Sequence, residues 1–271
     1  EIVPVSDENG HGTFLASVAA GGENIQEGFT GAASEAEIAV VKLKEAKDYL
    51  RKFYGIRQKA VCYQETDIVQ GLRYLHLLAL KKQMPLVMCV ALGTNLGGHN
   101  GMSSLSRILG SYSRLVDRCV VIGGGNEANE RHHFQGKLNQ VGEVQEVEMR
   151  VESGNTGFVA ELWGTIPNVV TAYLVSPSGE RSPVISIRQG SRYQLTFPFE
   201  QTVVDVEYRL FLRDGRSQLL FLKFDHPAQG IWKMGVQSLG RADGEFHIWL
   251  PVREFLDGNV YFLEASPDVT L

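Results

Sequence analysis

At 271 residues the chain has room for one large or two ordinary domains, and an apolar share of 44% is enough for real cores and excludes wholesale disorder. Its 26 basic and 31 acidic side chains leave a net charge of −5, a mild acidity that favours solubility and argues against a nucleic-acid footprint. No apolar run reaches the roughly 20 residues a membrane-spanning helix needs, and Glu1-Ile2-Val3-Pro4 does not resemble a signal peptide.

Reading from the N-terminus, His11-Gly12-Thr13 leads into the small-residue run Ala16-Ser17-Val18-Ala19-Ala20-Gly21, the pattern of a helix that packs closely against a sheet. A histidine opening such a helix presents its ring to a cleft, and its near-neutral pKa suits a general base. Taken alone, His-Gly-Thr reads more readily as a helix-capping or solvent-exposed histidine; the surrounding sequence reverses that preference. Residues 37–43 (EIAVVKL) form a short apolar run suited to a buried parallel strand, as do residues 85–92 (PLVMCVAL) and 118–123 (RCVVIG). Residues 44–65 are charged and aromatic with weak periodicity, which predicts a surface excursion with one helical turn and a solvated face at Arg51, Lys52, Arg57 and Lys59.

Ile68, Leu72, Leu75 and Ala79 share one helical face behind Thr66 as cap. Leu105, Ile108, Leu109, Tyr112, Leu115 and Val116 give a cleaner stripe capped by Ser103 or Ser104. Cys62, Cys89 and Cys119 are odd in number and widely spaced, and read as buried free thiols rather than a disulfide or zinc framework. Alternating strands and helices imply an α/β sheet with right-handed crossovers over residues 1–140.

The period then changes. Residues 146–151, 202–212, 219–224 and 246–250 alternate with period two, and Ser178-Gly179, Asp214-Gly215, Asp243-Gly244 and Asp257-Gly258 mark turns. This predicts an all-β jelly roll or sandwich over residues 141–265, with its boundary within 136–142, Trp232 buried between two sheets, and residues 266–271 returning toward the first domain.

Chemistry concentrates at two strand ends. Asn126 follows Gly123, Gly124 and Gly125 at the C-terminal edge of a predicted strand, where open α/β sheets bind ligands. Its amide could donate to a tetrahedral oxyanion, a bond worth roughly 3–4 kcal/mol in a transition state; it reads equally as a turn asparagine. Ala91-Leu92-Gly93 closes the neighbouring strand at the same edge, where an extended peptide could pair by strand addition. His132-His133 lacks accompanying cysteine or carboxylate spacing and reads as surface or interdomain rather than as metal ligands, and His99 reads as a turn residue.

Together these pieces resemble the subtilisin-like serine proteases. His11-Gly12-Thr13 matches the histidine motif, Gly31-Ala32-Ala33 with residues 37–43 a family strand, Ala91-Leu92-Gly93 the substrate strand, and Gly123-Gly124-Gly125-Asn126-Glu127 the oxyanion motif. Ala91-Leu92-Gly93-Thr94-Asn95, Gly98-His99-Asn100-Gly101, His132-His133, Leu162-Trp163-Gly164 and Ser176-Pro177-Ser178-Gly179-Glu180 sharpen the likeness to the clostridial Csp-like subgroup, which inserts a jelly roll between the oxyanion asparagine and the catalytic serine.

The resemblance implies a partial subtilisin-like parallel sheet followed by that inserted domain. It makes His11 the triad base and Asn126 the oxyanion donor, and it assigns Ala91, Leu92, Gly93, Gly123, Gly124 and Gly125 to the substrate-binding strands and pocket. Gly123 and Gly124 stand where alanines are common, which should widen that pocket. Asp7 matches a non-catalytic acid ahead of the histidine. Neither the triad aspartate's strand nor the Gly-Thr-Ser motif of the nucleophile is found, and Gly164-Thr165-Ile166-Pro167 has no serine. The expectation is therefore an internal fragment of a serine endopeptidase, inactive as given, acting on peptide or protein substrates and contacting a propeptide. No cofactor, metal, nucleic acid or membrane is called for. A cytoplasmic or spore-associated location is expected over a secreted one. The alternatives are a pseudoprotease or regulatory scaffold, and a protein- or carbohydrate-binding β module.

Overall fold

Small residues decide how the first helix is held. In the computed structural model, which describes residues 6–212, 215–239 and 244–267, helix α1 (His11–Ala20) has no buried residue. Its C-terminal carbonyls are instead taken by the backbone of a later turn. The amides of Ala32 and Ala33 donate to Val18 and Ala19 at 3.0 and 2.8 Å, and that of Gly31 donates to Gly21 at 2.9 Å. A Cβ on Gly31 would stand 2.7 Å from the Ser17 carbonyl oxygen, so only glycine allows this approach.

The chain divides into two units, Glu1–Glu45 with Tyr63–Leu86, and Ala46–Cys62 with Val87–Leu271. In the first unit the expected strand at residues 37–43 is part of no described strand or sheet, with Ile38 53% and Val40 68% exposed. An apolar run becomes a strand only when a ladder partner satisfies its amides, and no described strand pairs with it. Val41 and Leu43 instead lie against Gly71 of helix α2 (Glu65–Lys82). That helix buries Leu72 and Ala79 of its predicted stripe together with Gly71, while Ile68 and Leu75 are half-buried. Gln64 rather than Thr66 occupies the cap position, and Glu65 and Asp67 place negative charge in the first turn.

In the second unit residues 46–62 carry a two-turn helix, α3 (Asp48–Tyr54). Arg51 is not on a solvated face. Its guanidinium is buried and donates to the carbonyls of Ala60 at 2.6 Å, Ala46 at 3.3 Å and Gln58 at 3.4 Å, holding the excursion closed. Strands β1 (Leu86–Val90) and β2 (Arg118–Ile122) pair as a two-stranded sheet, and helix α4 (Ser104–Ser113) packs on β2. Ser103 caps α4, its hydroxyl accepting from the Ser106 amide at 3.1 Å. Leu115 and Val116 fall beyond the helix end and are exposed. Cys62 is buried, but Cys89 and Cys119 are exposed, correcting the expected burial: Met88 and Val90 face the covered side of β1, while Val87 and Cys89 point outward.

The rest of this unit is antiparallel. Strands β3 (His133–Leu138), β4 (Val144–Val151), β5 (Gly157–Thr165), β6 (Val170–Val175), β7 (Ser191–Phe197), β8 (Thr202–Arg209), β9 (Ser217–Asp225), β10 (Gly230–Ser238), β11 (Gly244–Trp249) and β12 (Val260–Phe262) form two sheets. One runs β12-β4-β10-β6 and the other β3-β11-β5-β9-β8-β7. Their inner faces share one core, with Met149, Leu174 and Trp232 from the first meeting Leu162, Val206, Leu222 and Ile248 from the second. Because β3 pairs with β11, residues 133–138 belong to the sandwich, which therefore begins before the expected boundary at 140. Of the predicted turns, Asp214 and Asp243 lie outside the described residues, as do residues 1–4 and 268–271.

Gly235 of β10 sits directly opposite Tyr173 of β6, whose ring lies over it and carries the Arg181 guanidinium 3.7 Å above. A Cβ there would enter the Tyr173 ring. Gly235→Ala is therefore expected to destabilise the sandwich by about 1–3 kcal/mol through overpacking, read as a lowered urea midpoint with unchanged slope.

Candidate functional site

Asp7 organises the turn that carries His11. Its Oδ1 accepts the amides of Asn9 and Gly10 at 3.0 and 2.9 Å, and its Oδ2 accepts the Thr13 amide at 2.9 Å and the Thr13 hydroxyl at 2.7 Å. These bonds, the Thr13 hydroxyl first, hold the carboxyl far below the usual carboxylate range, with desolvation opposing them. Gly10, at φ 83, takes the left-handed turn that lets the chain enter α1. With both oxygens committed to the helix start, Asp7 acts as a clamp on the segment bearing His11, which is itself exposed. Asp7→Ala is expected to speed amide exchange at Gly10 and Thr13 while leaving α2 unchanged, measured by exchange NMR.

In the second unit the ends of β1 and β2 emerge side by side. The Gly123 amide donates to the Val90 carbonyl at 3.3 Å, and a Cβ on Gly123 would lie 4.0 Å from the Ala91 Cα. Ala91 and Leu92 are half-buried, whereas Gly93, Gly123, Gly124, Gly125 and Asn126 are exposed, with Gly125 turning at φ 81. The strand end and the glycine loop thus form one rim, and Asn126 stands open on it. A small cavity of about 100 Å³ lies behind this rim between Leu92, Leu96, His99 and the start of α4.

The loop beyond Gly93 is fastened to the sandwich. The Gly97 amide donates to Glu161 at 2.8 Å, Gly98 packs on the Trp163 ring, and Asn100 Nδ2 donates to the Ser217 hydroxyl at 3.0 Å. Glu161 also accepts from Trp163 Nε1 at 2.9 Å, and its deep burial pushes its carboxyl pKa up against these bonds. His99, at φ 47, bonds through Nε2 to the Asn95 carbonyl at 2.9 Å and stacks on Trp249 at 3.7 Å. The opposite face of Trp249 carries His133 at 3.8 Å, and His133 Nε2 meets His247 Nδ1 at 3.0 Å.

Neither member of the His132-His133 pair is at the surface. His132 is wholly buried and bonds Glu127 and Asn259, and His133 lies in the stack, so of the expected surface or interdomain placement the surface half is corrected: His132 joins the segment after the glycine loop to the residue before β12, and His133 packs on Trp249 of β11. Among the described residues no group of three or more histidine, cysteine or acidic side chains is arranged to hold a metal ion, and no helix is long and apolar enough to cross a membrane. Sequence reasoning named Asn95 and Glu127 only as motif members without a role, and missed Glu161 and Trp249 as parts of this region. The signals were an Asn-Glu step and a His-His step, both visible, but without their partners.

The family sequence model for the subtilases matches residues 3–199. Among solved structures the chain is similar to that of the Clostridium perfringens CspB protease, with a TM-score of 0.81 and 25% identity over 97% of this chain. It spans 52% of that protein's length. No curated protein matches the chain.

Proposed function

The chain belongs to the subtilase family, and on that premise we propose that it supplies the general base and the oxyanion donor of a serine endopeptidase. In this reading a serine attacks the peptide carbonyl, His11 accepts its proton, and Asn126 with a backbone amide stabilises the oxyanion. Ala91, Leu92 and Gly93 pair with the extended substrate, and Gly123, Gly124 and Gly125 line the opposite wall of its pocket. The observation that carries the reading is the rim formed by adjacent β1 and β2 ends with Asn126 exposed on it. The aspartate and the nucleophilic serine come from polypeptide outside these 271 residues, so the chain by itself is inactive. The sandwich is the inserted jelly roll of the Csp-like arrangement.

The test compares the 271-residue chain with the complete gene product on peptide substrates. Hydrolysis is expected only for the complete product, blocked by serine-directed reagents. Asn126→Ala should lower kcat by about 10²–10³-fold. Inhibitor-sensitive hydrolysis by the chain alone would overturn the assignment of the nucleophile. A complete product that folds, binds peptide and never turns over would establish the regulatory-scaffold reading instead.

One feature favours a binding role for the sandwich alongside proteolysis. An open cleft of about 410 Å³ on the outer face of β7, β8 and β9 sets the Phe53 and Phe221 rings, stacked at 5.6 Å, beside Arg192, Glu207 and Lys223. An aromatic platform next to polar groups of fixed spacing suits a saccharide. A glycan array probed with the chain and with Phe53→Ala would detect it as binding lost in the variant.

A further inference from the structure

Glu127 follows Asn126 directly, yet its carboxylate turns away from the exposed rim and is nine-tenths buried. There it collects three donors from three separate segments: His132 Nδ1 at 2.6 Å, the Arg253 amide at 3.0 Å and Asn95 Nδ2 at 3.4 Å. Asn95 lies in the loop that continues the substrate strand. His132 leads into β3, and Arg253 opens a short 3-10 turn after β11. The carbonyl oxygen of the Asn95 carboxamide is buried without a partner, so the bond to Glu127 is what orients that side chain.

The proton inventory of this knot follows from geometry. His132 Nε2 lies 3.1 Å from Asn259 Oδ1, and the same oxygen accepts the Val260 amide at 3.0 Å. A backbone N–H can only donate, so the Asn259 atom is the carbonyl end of its carboxamide and Nε2 must carry a proton. The 2.6 Å contact on the other side of the ring then contains a proton as well, because a bare Nδ1 and a bare carboxylate oxygen would repel at that distance.

We propose that Glu127 is a positioning residue of the site: through its proton-bearing bridge to His132 it holds the oxyanion asparagine and the substrate-strand exit in one register against the sandwich. The inference rests on the serine-peptidase reading of the rim. One peptide unit separates a fixed carboxylate from Asn126, so the amide's place is inherited from the buried knot. A displacement near 1 Å of such a donor can cost about 10²-fold in rate. Asn95 and His132 are fully buried and Glu127 nearly so, and in that low dielectric loss of one member strands the others.

The decisive experiment follows the 271-residue chain by NMR, recording the His132 ring nitrogens and the amide exchange of Gly93 and Asn126. In the unaltered chain Nε2 should carry a proton and Nδ1 should report the short bridge to Glu127, a signature lost in Glu127→Gln. Exchange at Gly93 and Asn126 should rise about tenfold or more in Glu127→Gln, with β9 amides unchanged. Asn95→Ala, which leaves the carboxylate in place, should affect Gly93 more than Asn126 and guards against a Glu127 variant that fails to fold. Unchanged exchange at both rim positions, or a uniform rise through the sandwich, would overturn the proposal. In the complete product Glu127→Gln should lower kcat by about 10–10²-fold with KM held, and Glu127→Asp should recover part of it. Absence of hydrolysis in the unaltered product would count against the function, while the exchange result would still decide the role of Glu127.

Discussion

Trp232→Ala should lower the stability of the sandwich by about 3–5 kcal/mol, the largest loss expected from any single truncation in the chain. Trp232 is fully buried in the first third of β10 and meets Phe197 and Phe224 edge-on at 5.0 and 5.4 Å. Those two rings come from the opposite sheet, so the indole is the bolt between layers rather than a cap on one. Its Nε1–H donates to the Ala228 carbonyl at 2.9 Å, and truncation leaves that acceptor unpaired beside a cavity. A domain held by about 5–15 kcal/mol in total would approach its threshold. Trp232→Phe keeps an aromatic ring in place and should cost less than half as much. Phe199→Ala, at an 84% exposed position, should stay within about 0.5 kcal/mol. Urea unfolding followed by near-ultraviolet dichroism separates the three, and a Trp232→Ala midpoint equal to that of Phe199→Ala would refute the packing argument.

What the sequence disclosed and what it withheld follow one physical division. Features written by local chemistry were legible. The Ser103 cap needs only a hydroxyl one turn ahead of an amide, and the α2 stripe needs only 3.6-residue spacing. Strands β4 and β8 alternate because one face meets the core and the other meets water. Strand β5 was invisible for the opposite reason. Its inner face packs in the main core, and Val159 and Trp163 on its outer face are covered by Tyr54, Leu96 and Phe221, so no alternation remains to be read.

Residues 37–43 show the converse error: composition marked them apolar, but being a strand is a property of a pair. The site divides in the same way. His11, Ala91-Leu92-Gly93 and Gly123-Gly124-Gly125-Asn126 are contiguous motifs. Arg51 and Glu127 take their meaning from partners reached only by folding, which for Glu127 lie as far as 126 residues away.

Acid should loosen the attachment of the loop that follows β1, because the stack that holds it is built from neutral imidazoles. His133 Nδ1 faces the Pro267 carbonyl at 2.8 Å and so donates there, which leaves Nε2 to accept from His247 Nδ1 at 3.0 Å. A proton added at His133 Nε2 forces His247 to change tautomer, and protonation of both rings sets two N–H groups face to face. Burial, the largest cause, pushes His133 down to about 4; the Pro267 bond opposes it, and the charges of His247 and His99 add to it.

Burial lowers His99 and His247 as well, with the Asn95 carbonyl opposing it at His99 and Glu245 opposing it at His247. The unfolded chain therefore binds more protons than the folded one between pH 6.5 and about 4. The stability contributed by the neutral stack is complete above pH 6.5 and is lost progressively as the pH falls through that window. The full displacement of His133 would correspond to about 3 kcal/mol, and the ring's remaining solvent contact screens this to roughly 1–2 kcal/mol. Glu161 works in the opposite sense, since a buried carboxyl of raised pKa gains folding stability on protonation. The comparison that isolates the stack is therefore the unaltered chain against His133→Gln, each unfolded in urea at pH 7.5 and pH 4.5. The unaltered chain should lose about 1–2 kcal/mol more than the variant over that interval, with faster amide exchange at Gly97 and Gly98. Equal losses would mean that the imidazoles are charged in place and that the loop is held by Glu161 and Trp163 alone.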